Sequence, residues 1–149
     1  MNAGEICIRE VIVTSRDTTV AAAAQLMREF HVGDLVVVDE SDGRRLPVGI
    51  VTDRDVAIGV VAPGLDPATL TVGDIMAGDL VTAREADGVF EILQTMRRRG
   101  IRRVPVVEAS GALAGIVALD DILEIIAEEL ASAVKLTERE QTNEARRRR

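Results

Sequence analysis

Apolar residues along the chain alternate between helical and strand spacing, and the same order of spacings occurs twice. Two stretches have the i, i+3, i+4, i+7 spacing that gives a helix one buried face. They are formed by Val20, Ala23, Ala24 and Met27, and by Val89, Ile92, Leu93 and Met96. Thr18 and Asp87 stand two residues before these stretches, so we expect them to be the N-caps of two helices.

Short runs rich in β-branched residues follow each predicted helix and have the length of strands. The runs are Leu35–Val38, Val48–Val51, Val104–Val107 and Leu113–Val117. Ser41-Asp42-Gly43 predicts a turn between the first two. A further helix is expected near Arg54–Val60, and its counterpart begins near Asp121 and extends past Leu130. The predicted order is β-α-β-β-α, twice.

The two copies align as an internal repeat over most of their length. Two segments recur 69 positions later, and after a deletion in the second turn a third recurs at 66. These are Gly4-Glu5-Ile6-Cys7 with Gly73-Asp74-Ile75-Met76, Val37-Val38-Asp39 with Val106-Val107-Glu108, and Gly49-Ile50-Val51 with Gly115-Ile116-Val117. A unit of ~60 residues has a marginal core, so we expect the copies to pack around a pseudo-twofold axis.

The sequence thus predicts a mixed α/β fold, α/β or α+β, with tandem repeats and a C-terminal helical extension. Repeat one is assigned to residues 1–62, a linker to 63–70 and repeat two to 71–130. After Ala133 the chain becomes polar, so residues 131–149 are interpreted as a tail that is either a solvated helix or disordered.

Composition restricts the function of the 149 residues. There is no Trp or Tyr, and Phe30 and Phe90 are the only aromatic residues, so aliphatic side chains must hold any flat ligand. The net charge of −7 argues against nucleic-acid binding, and the Arg146–Arg149 run is interpreted as a charged terminus rather than a site for an acidic partner. A single cysteine, Cys7, and no apolar stretch of ~20 residues predict a cytoplasmic protein without membrane contact.

Candidate binding chemistry lies where the last strand of a repeat leads into its last helix. Repeat one has Gly49-Ile50-Val51-Thr52-Asp53-Arg54-Asp55 there, a Gly-h-h-Thr-x-x-Asp pattern in which h is apolar. Thr52 and the free N–H groups of a helix N-terminus can bind a phosphate, and Asp55 can accept both hydroxyls of a ribose. The structural alternative is that Thr52 caps the helix and Asp55 complements its dipole.

The chain resembles the cystathionine-β-synthase (CBS) domain family, as a stand-alone bacterial CBS pair. The resemblance covers roughly Gly4 to Ala127 and includes the Gly-x-Ile-x opening, the Val104–Glu108 strand and the Gly-h-h-Thr-x-x-Asp ending. It implies a Bateman module that binds AMP, ADP, ATP, S-adenosylmethionine or an NAD-type dinucleotide between its repeats. It also implies a homodimer that regulates an unidentified protein.

The resemblance further implies two pockets, each with an ending motif from one repeat and strand edges from the other. Pocket one would comprise Ile50, Thr52, Arg54, Asp55, Leu80, Val81, Ile101, Arg102 and Arg103. Pocket two would comprise Val11, Ile12, Val32, Gly33, Asp34, Ile116, Ala118, Asp120 and Asp121. Arginines suit phosphate, so we expect pocket one to bind it. Pocket two offers carboxylates instead, and we expect it to be weak, empty or filled by a ligand of little negative charge.

Catalytic and metal chemistry are not indicated. His31 is the only histidine and Cys7 the only thiol, too few for a nucleophile–base pair with an orienting group or for a four-ligand zinc site. Neither a catalytic residue nor a required cofactor is therefore expected. The favoured function is sensing of an adenine nucleotide, and the alternative is a structural or protein-interaction module with empty clefts.

Overall fold

The computed structural model describes residues 1–148 and contains two similar halves, each with one three-stranded sheet. The first half comprises α1 (Ala3–Ile6), β1 (Val13–Thr14), α2 (Val20–Phe30), β2 (Asp34–Ser41), β3 (Arg44–Thr52) and α3 (Asp53–Val56), which a π-helical turn (Ala57–Val61) continues. The second half comprises α4 (Val72–Ile75), β4 (Ala83–Arg84), α5 (Val89–Arg99), β5 (Arg103–Val107), β6 (Leu113–Ala118) and α6 (Leu119–Arg147).

Both sheets have the same topology, which confirms the predicted α/β repeat. The central strand of each pairs in parallel with the short strand before it and antiparallel with the strand after it. Each half also has a short helix before its first strand, α1 or α4, that the β-α-β-β-α prediction omitted. The C-terminal helix is present as α6, and its described part includes residues 131–147.

The predicted turn between β2 and β3 is a two-residue hairpin loop. Asp42 and Gly43 form it with φ of 51° and 73°, a left-handed conformation that suits the twist of the flanking strands. Glycine adopts this conformation without a Cβ clash, and aspartate tolerates it better than most residues.

The two amphipathic helices are where the apolar spacing predicts them, but both predicted N-caps are wrong by one residue. The cap of α2 is Thr19, whose Oγ1 accepts a hydrogen bond from the Ala22 N–H at 3.1 Å, and the cap of α5 is Gly88. Asp87 instead accepts from the Arg84 N–H at 2.8 Å, so it stabilises the preceding turn. Thr18 Oγ1 lies 3.2 Å from the Ser15 hydroxyl.

The opening helices are exchanged between the halves. Ala3 of α1 is fully buried among α5 and the second sheet, and its N–H donates to the Asp87 carbonyl at 2.8 Å. Val72 of α4 is likewise buried against α2 and the first sheet, and its N–H donates to the Thr18 carbonyl at 2.8 Å. Each half therefore completes its core with a helix from the other, and neither repeat can fold its full core alone.

The strands pack on both faces, which explains their continuous apolar runs. Leu35–Val38 of β2 are all buried, because one face meets helices and the other meets the second sheet. Val36, Val38 and Ile116 form an apolar cluster that joins the two sheets. This cluster packs β2 against β6.

The stability of the fold depends on pH through Asp74. Its Oδ2 accepts a hydrogen bond from the Thr71 N–H at 2.9 Å at the start of α4, and this bond lowers the pKa of Asp74 from 3.8. The stabilisation is complete above pH 3.8 and is lost as the pH falls through the lower pKa of the folded state. We expect Asp74→Asn to reduce stability at neutral pH, with the difference from the unaltered protein shrinking well below pH 3.8 in guanidinium titrations.

Candidate functional site

A cavity of about 310 Å³ lies between the two halves. All nine residues predicted for pocket two line it, namely Val11, Ile12, Val32, Gly33, Asp34, Ile116, Ala118, Asp120 and Asp121. Four further residues complete the wall, namely Ile8, Glu10, His31 and Arg103. The structure thus brings this predicted set together around one space.

The start of β2 shapes one side of the cavity. α2 ends at Phe30, and the next residue, His31, has a left-handed conformation with φ of 54°, so the chain turns there towards Asp34. Gly33 occupies a tight position, because a Cβ on it would lie 3.2 Å from Asp53 Oδ2. The Asp53 N–H donates to the Gly33 carbonyl at 2.9 Å, which fixes this loop to the start of α3.

The junction of β6 and α6 shapes the other side. Asp121 is half-buried, and its Oδ2 accepts a hydrogen bond from the Ala118 N–H at 3.0 Å. This bond holds the carboxylate at the helix start and leaves Oδ1 available for a ligand hydroxyl. Ile116 and Ala118 add apolar surface beside it.

One arginine reaches the cavity, which corrects the expectation that pocket two offers carboxylates without a guanidinium group. Arg103 Nε lies 2.8 Å from Asp34 Oδ2, and the two side chains are 32% and 18% exposed. Arg103 Nη2 is also 3.9 Å from Asp120 Oδ2. Asp34 and Arg103 are equivalent positions of the two repeats, so this ion pair joins the halves at their matching strand starts.

The residues predicted for pocket one are engaged in local contacts. Thr52 Oγ1 accepts from the Asp55 N–H at 3.1 Å, and Asp55 Oδ2 accepts from the Thr52 N–H at 2.9 Å. This reciprocal cap corresponds to the structural alternative for the motif, in which Thr52 caps the helix. Arg102 pairs with Asp120 at 3.0 Å and Arg103 pairs with Asp34, so two of the three arginines assigned to pocket one contact acids of pocket two.

Four of the other five residues predicted for pocket one are apolar. The half-buried apolar residues among them are Ile50, Leu80, Val81 and Ile101. Arg54 is exposed at the start of α3, and its backbone N–H donates to Asp53 Oδ1 at 2.8 Å.

Sequence reasoning missed three wall residues of the cavity, Ile8, Glu10 and His31, and assigned the fourth, Arg103, to pocket one. The repeat alignment matches Arg103 with Asp34 but does not show that the two side chains meet. Ile8 reaches the wall because it pairs with Ile116 through two backbone hydrogen bonds of 2.9 and 3.0 Å. Glu10 and His31 show no periodic or motif pattern.

Within residues 1–148, no group of three or more His, Cys, Asp or Glu side chains is arranged to hold a metal ion. The described helices include none with the length and hydropathy needed to cross a bilayer.

The model of the CBS domain family matches residues 3–61 and 72–128. The chain belongs to this family. It is a CBS pair, because both repeats are matched.

Among its relatives, an uncharacterised protein of Methanopyrus kandleri, MK0525, is 39% identical over 125 residues. That match covers 84% of this chain and 62% of the relative, so the chain spans less than two thirds of it. Hypoxic response protein 1 of Mycobacterium tuberculosis is 38% identical over 122 residues, with 82% and 78% of the two chains covered.

Among solved structures, the CBS domain pair of protein MJ0100 is similar with a TM-score of 0.75 and 25% identity. The match covers 87% of this chain and 98% of that one. The MJ0100 pair is in complex with 5′-methylthioadenosine and S-adenosyl-L-methionine.

Proposed function

We propose that this CBS pair is a non-catalytic, cytoplasmic regulatory module that binds an adenosine-containing ligand in the cavity between its halves. The observation that carries the proposal is the convergence of nine predicted residues, from both repeats, on one cavity of about 310 Å³. This volume is at the lower end of the ~300–1,000 Å³ typical of small-molecule sites. The adenosine-containing ligands of the similar MJ0100 pair support the ligand class.

The wall of the cavity offers a place for each part of an adenosine. Adenine would lie between aliphatic side chains, and Ile12, Val32 and Ile116 supply these from three separate segments of the chain. Asp121 would accept hydrogen bonds from the ribose hydroxyls through Oδ1, because Oδ2 is occupied by the Ala118 N–H. Base specificity would come from backbone groups, which leave a base with the wrong edge unpaired.

The charges of the wall favour ligands without phosphate. Four acidic residues, Glu10, Asp34, Asp120 and Asp121, face one arginine, and Asp34 already pairs with that arginine. An anionic phosphate would gain little from a neutralised guanidinium and would be repelled by the remaining carboxylates. Neutral 5′-methylthioadenosine or the sulfonium cation of S-adenosylmethionine fits this field better than AMP or ATP.

Ligand binding would act on the arrangement of the halves. The cavity takes wall residues from both repeats, so a ligand that contacts both sides favours the arrangement in which they are closest. Such a shift is limited by the difference in affinity between arrangements. We propose that a homodimer of the pair transmits it to a protein partner.

A thermal-shift and calorimetry experiment tests the site with a matched pair of variants. Asp121→Asn and Asp55→Asn each alter a carboxylate that caps a helix, but only Asp121 lines the cavity. Ligand at 100 times its Kd should add about 2.7 kcal/mol to the stability of the unaltered protein. We expect Asp121→Asn to weaken binding of 5′-methylthioadenosine about tenfold, since it removes a charge-assisted hydrogen bond.

The control separates loss of a ligand contact from loss of a cap. Asp55→Asn should lower the melting temperature as Asp121→Asn does, yet keep the affinity of the unaltered protein. Equal loss of affinity in both variants would contradict the assignment to this cavity. Unchanged melting with methylthioadenosine, S-adenosylmethionine, AMP, ATP and NADH would favour the structural module with empty clefts.

A further inference from the structure

The helix α6 extends far beyond the fold that it completes. Its 29 residues correspond to about 44 Å at 1.5 Å per residue. Ile122 is its only fully buried residue, and every described residue from Ala127 to Arg148 is exposed. Isolated helices are marginal in water, so an exposed segment of this length is stabilised best by packing against another surface.

An apolar surface runs along the middle of α6 and is defined by Leu123, Ala127, Leu130, Ala131 and Val134. These positions lie on one side of the helix at 100° per residue, next to the side that carries Ile122. The three largest members, Leu123, Leu130 and Val134, are 51%, 65% and 52% exposed. Its contiguity distinguishes the surface from scattered exposed leucines.

The charges of α6 are divided between its two ends. Residues 119–134 contain five acidic side chains and no basic one, whereas residues 135–147 contain four basic and three acidic ones. A second α6 that runs antiparallel would place the acidic half beside the basic half, and a parallel one would place like beside like. Charge complementarity of this kind selects partner and register.

Four charged residues make the register specific. Glu124, Glu128, Lys135 and Arg139 flank the apolar surface on the side away from the protein body. In an antiparallel pair related by a twofold axis, each flank meets the same flank of the other helix in reverse order. If the twofold axis crosses the helix between Ala131 and Ser132, residues at equal distances on either side of it meet. Glu124 then meets Arg139 of the other copy, and Glu128 meets Lys135. None of the four forms a salt bridge within residues 1–148.

We infer that the exposed part of α6 is a self-association surface that pairs antiparallel with α6 of a second copy of this chain. Leu130 packs near Val134 of the other copy across the axis, and the charged flanks close over the contact. The inference specifies the surface for the proposed homodimer and does not depend on the ligand. The contact is small, so we place its dissociation constant in the micromolar range.

Charge reversal tests the pairing by sedimentation equilibrium. The first variant carries Glu124→Lys and Glu128→Lys, and the second carries Lys135→Glu and Arg139→Glu. Each alone places like charges opposite each other in the antiparallel pair, and we expect its dimer Kd to rise about tenfold or more. In a heterodimer of the two variants every reversed residue meets an opposite charge, so an equimolar mixture should form heterodimers.

Two substitutions of apolar residues on α6 test the pairing independently of the charged flanks. Leu130→Glu should abolish the dimer, whereas Leu136→Glu should not, because Leu136 is 69% exposed on the opposite side of the same helix. Circular dichroism on all variants establishes that α6 remains helical. A monomeric unaltered protein, dimers unaffected by charge reversal, or reversed variants that fail to recombine would each overturn the inference. The ligand-induced melting shift is read separately, so failure of the sensor proposal is distinguishable.

Discussion

Replacing Gly115 with alanine is expected to lower the free energy of unfolding by about 2–3 kcal/mol, a typical cost of forced overpacking. A Cβ at this position would lie 2.6 Å from Cys7 Sγ and 2.8 Å from the Ile8 carbonyl oxygen. The Ile8 backbone cannot withdraw easily, because it exchanges two hydrogen bonds with Ile116. The clash therefore involves fixed backbone as well as a side chain.

Gly49 is the equivalent position in the first repeat and provides the matched control. A Cβ there would meet Met76 Sδ at 2.7 Å, and its other neighbours lie at 3.4 Å or beyond. Methionine has three rotatable bonds and can move its sulfur aside, so Gly49→Ala should cost about 1 kcal/mol or less.

Thermal and guanidinium unfolding of both variants measure the difference. A loss of 1 kcal/mol shifts the melting temperature by about 2–4 °C in a chain of this size, so Gly115→Ala should melt about 4–12 °C lower. Equal destabilisation by the two substitutions would show that the close approach of Cys7 and Ile8 to β6 is not specific to the second half.

The exchange of opening helices explains why Gly115 and Gly49 are tightly packed. This exchange cannot be predicted from the sequence alone. Cys7 packs on β6 of the second half, and Met76 packs on β3 of the first. Apolar spacing depends only on near neighbours in sequence, so it predicts the buried faces of α2 and α5 correctly. It contains no information on which of two similar cores receives a four-residue helix such as α1.

The candidate site was also predictable only in part. The motif positions of pocket two were predictable because the repeat fixes their register, and Asp121 stands at the start of α6 as the alignment requires. The placement of Arg103 was not predictable in this way. Alignment assigns it to pocket one, but the fold brings it within 2.8 Å of its oppositely charged counterpart Asp34. Side-chain pairing across a pseudo-twofold axis depends on the assembled halves.

Asp34→Asn is expected to change the charge preference of the cavity on the order of 100-fold. The substitution removes one carboxylate from the wall and frees the Arg103 fork for a phosphate. A unit charge at ~6 Å with an effective dielectric constant of ~20 is worth about 2–3 kcal/mol, which corresponds to about 100-fold in affinity. The ratio of AMP to adenosine affinity should rise by this factor in calorimetry.

Asp79→Asn provides the control for net charge, because Asp79 forms an exposed ion pair with Arg99 at 3.0 Å and does not line the cavity. It should leave the AMP-to-adenosine ratio unchanged. An unchanged ratio in Asp34→Asn as well would mean that the 5′ end of the ligand does not face Arg103, and the charge argument for the ligand class would fail. A raised ratio would make the ion pair between the repeats the element that excludes phosphate, since it occupies the one guanidinium group of the wall.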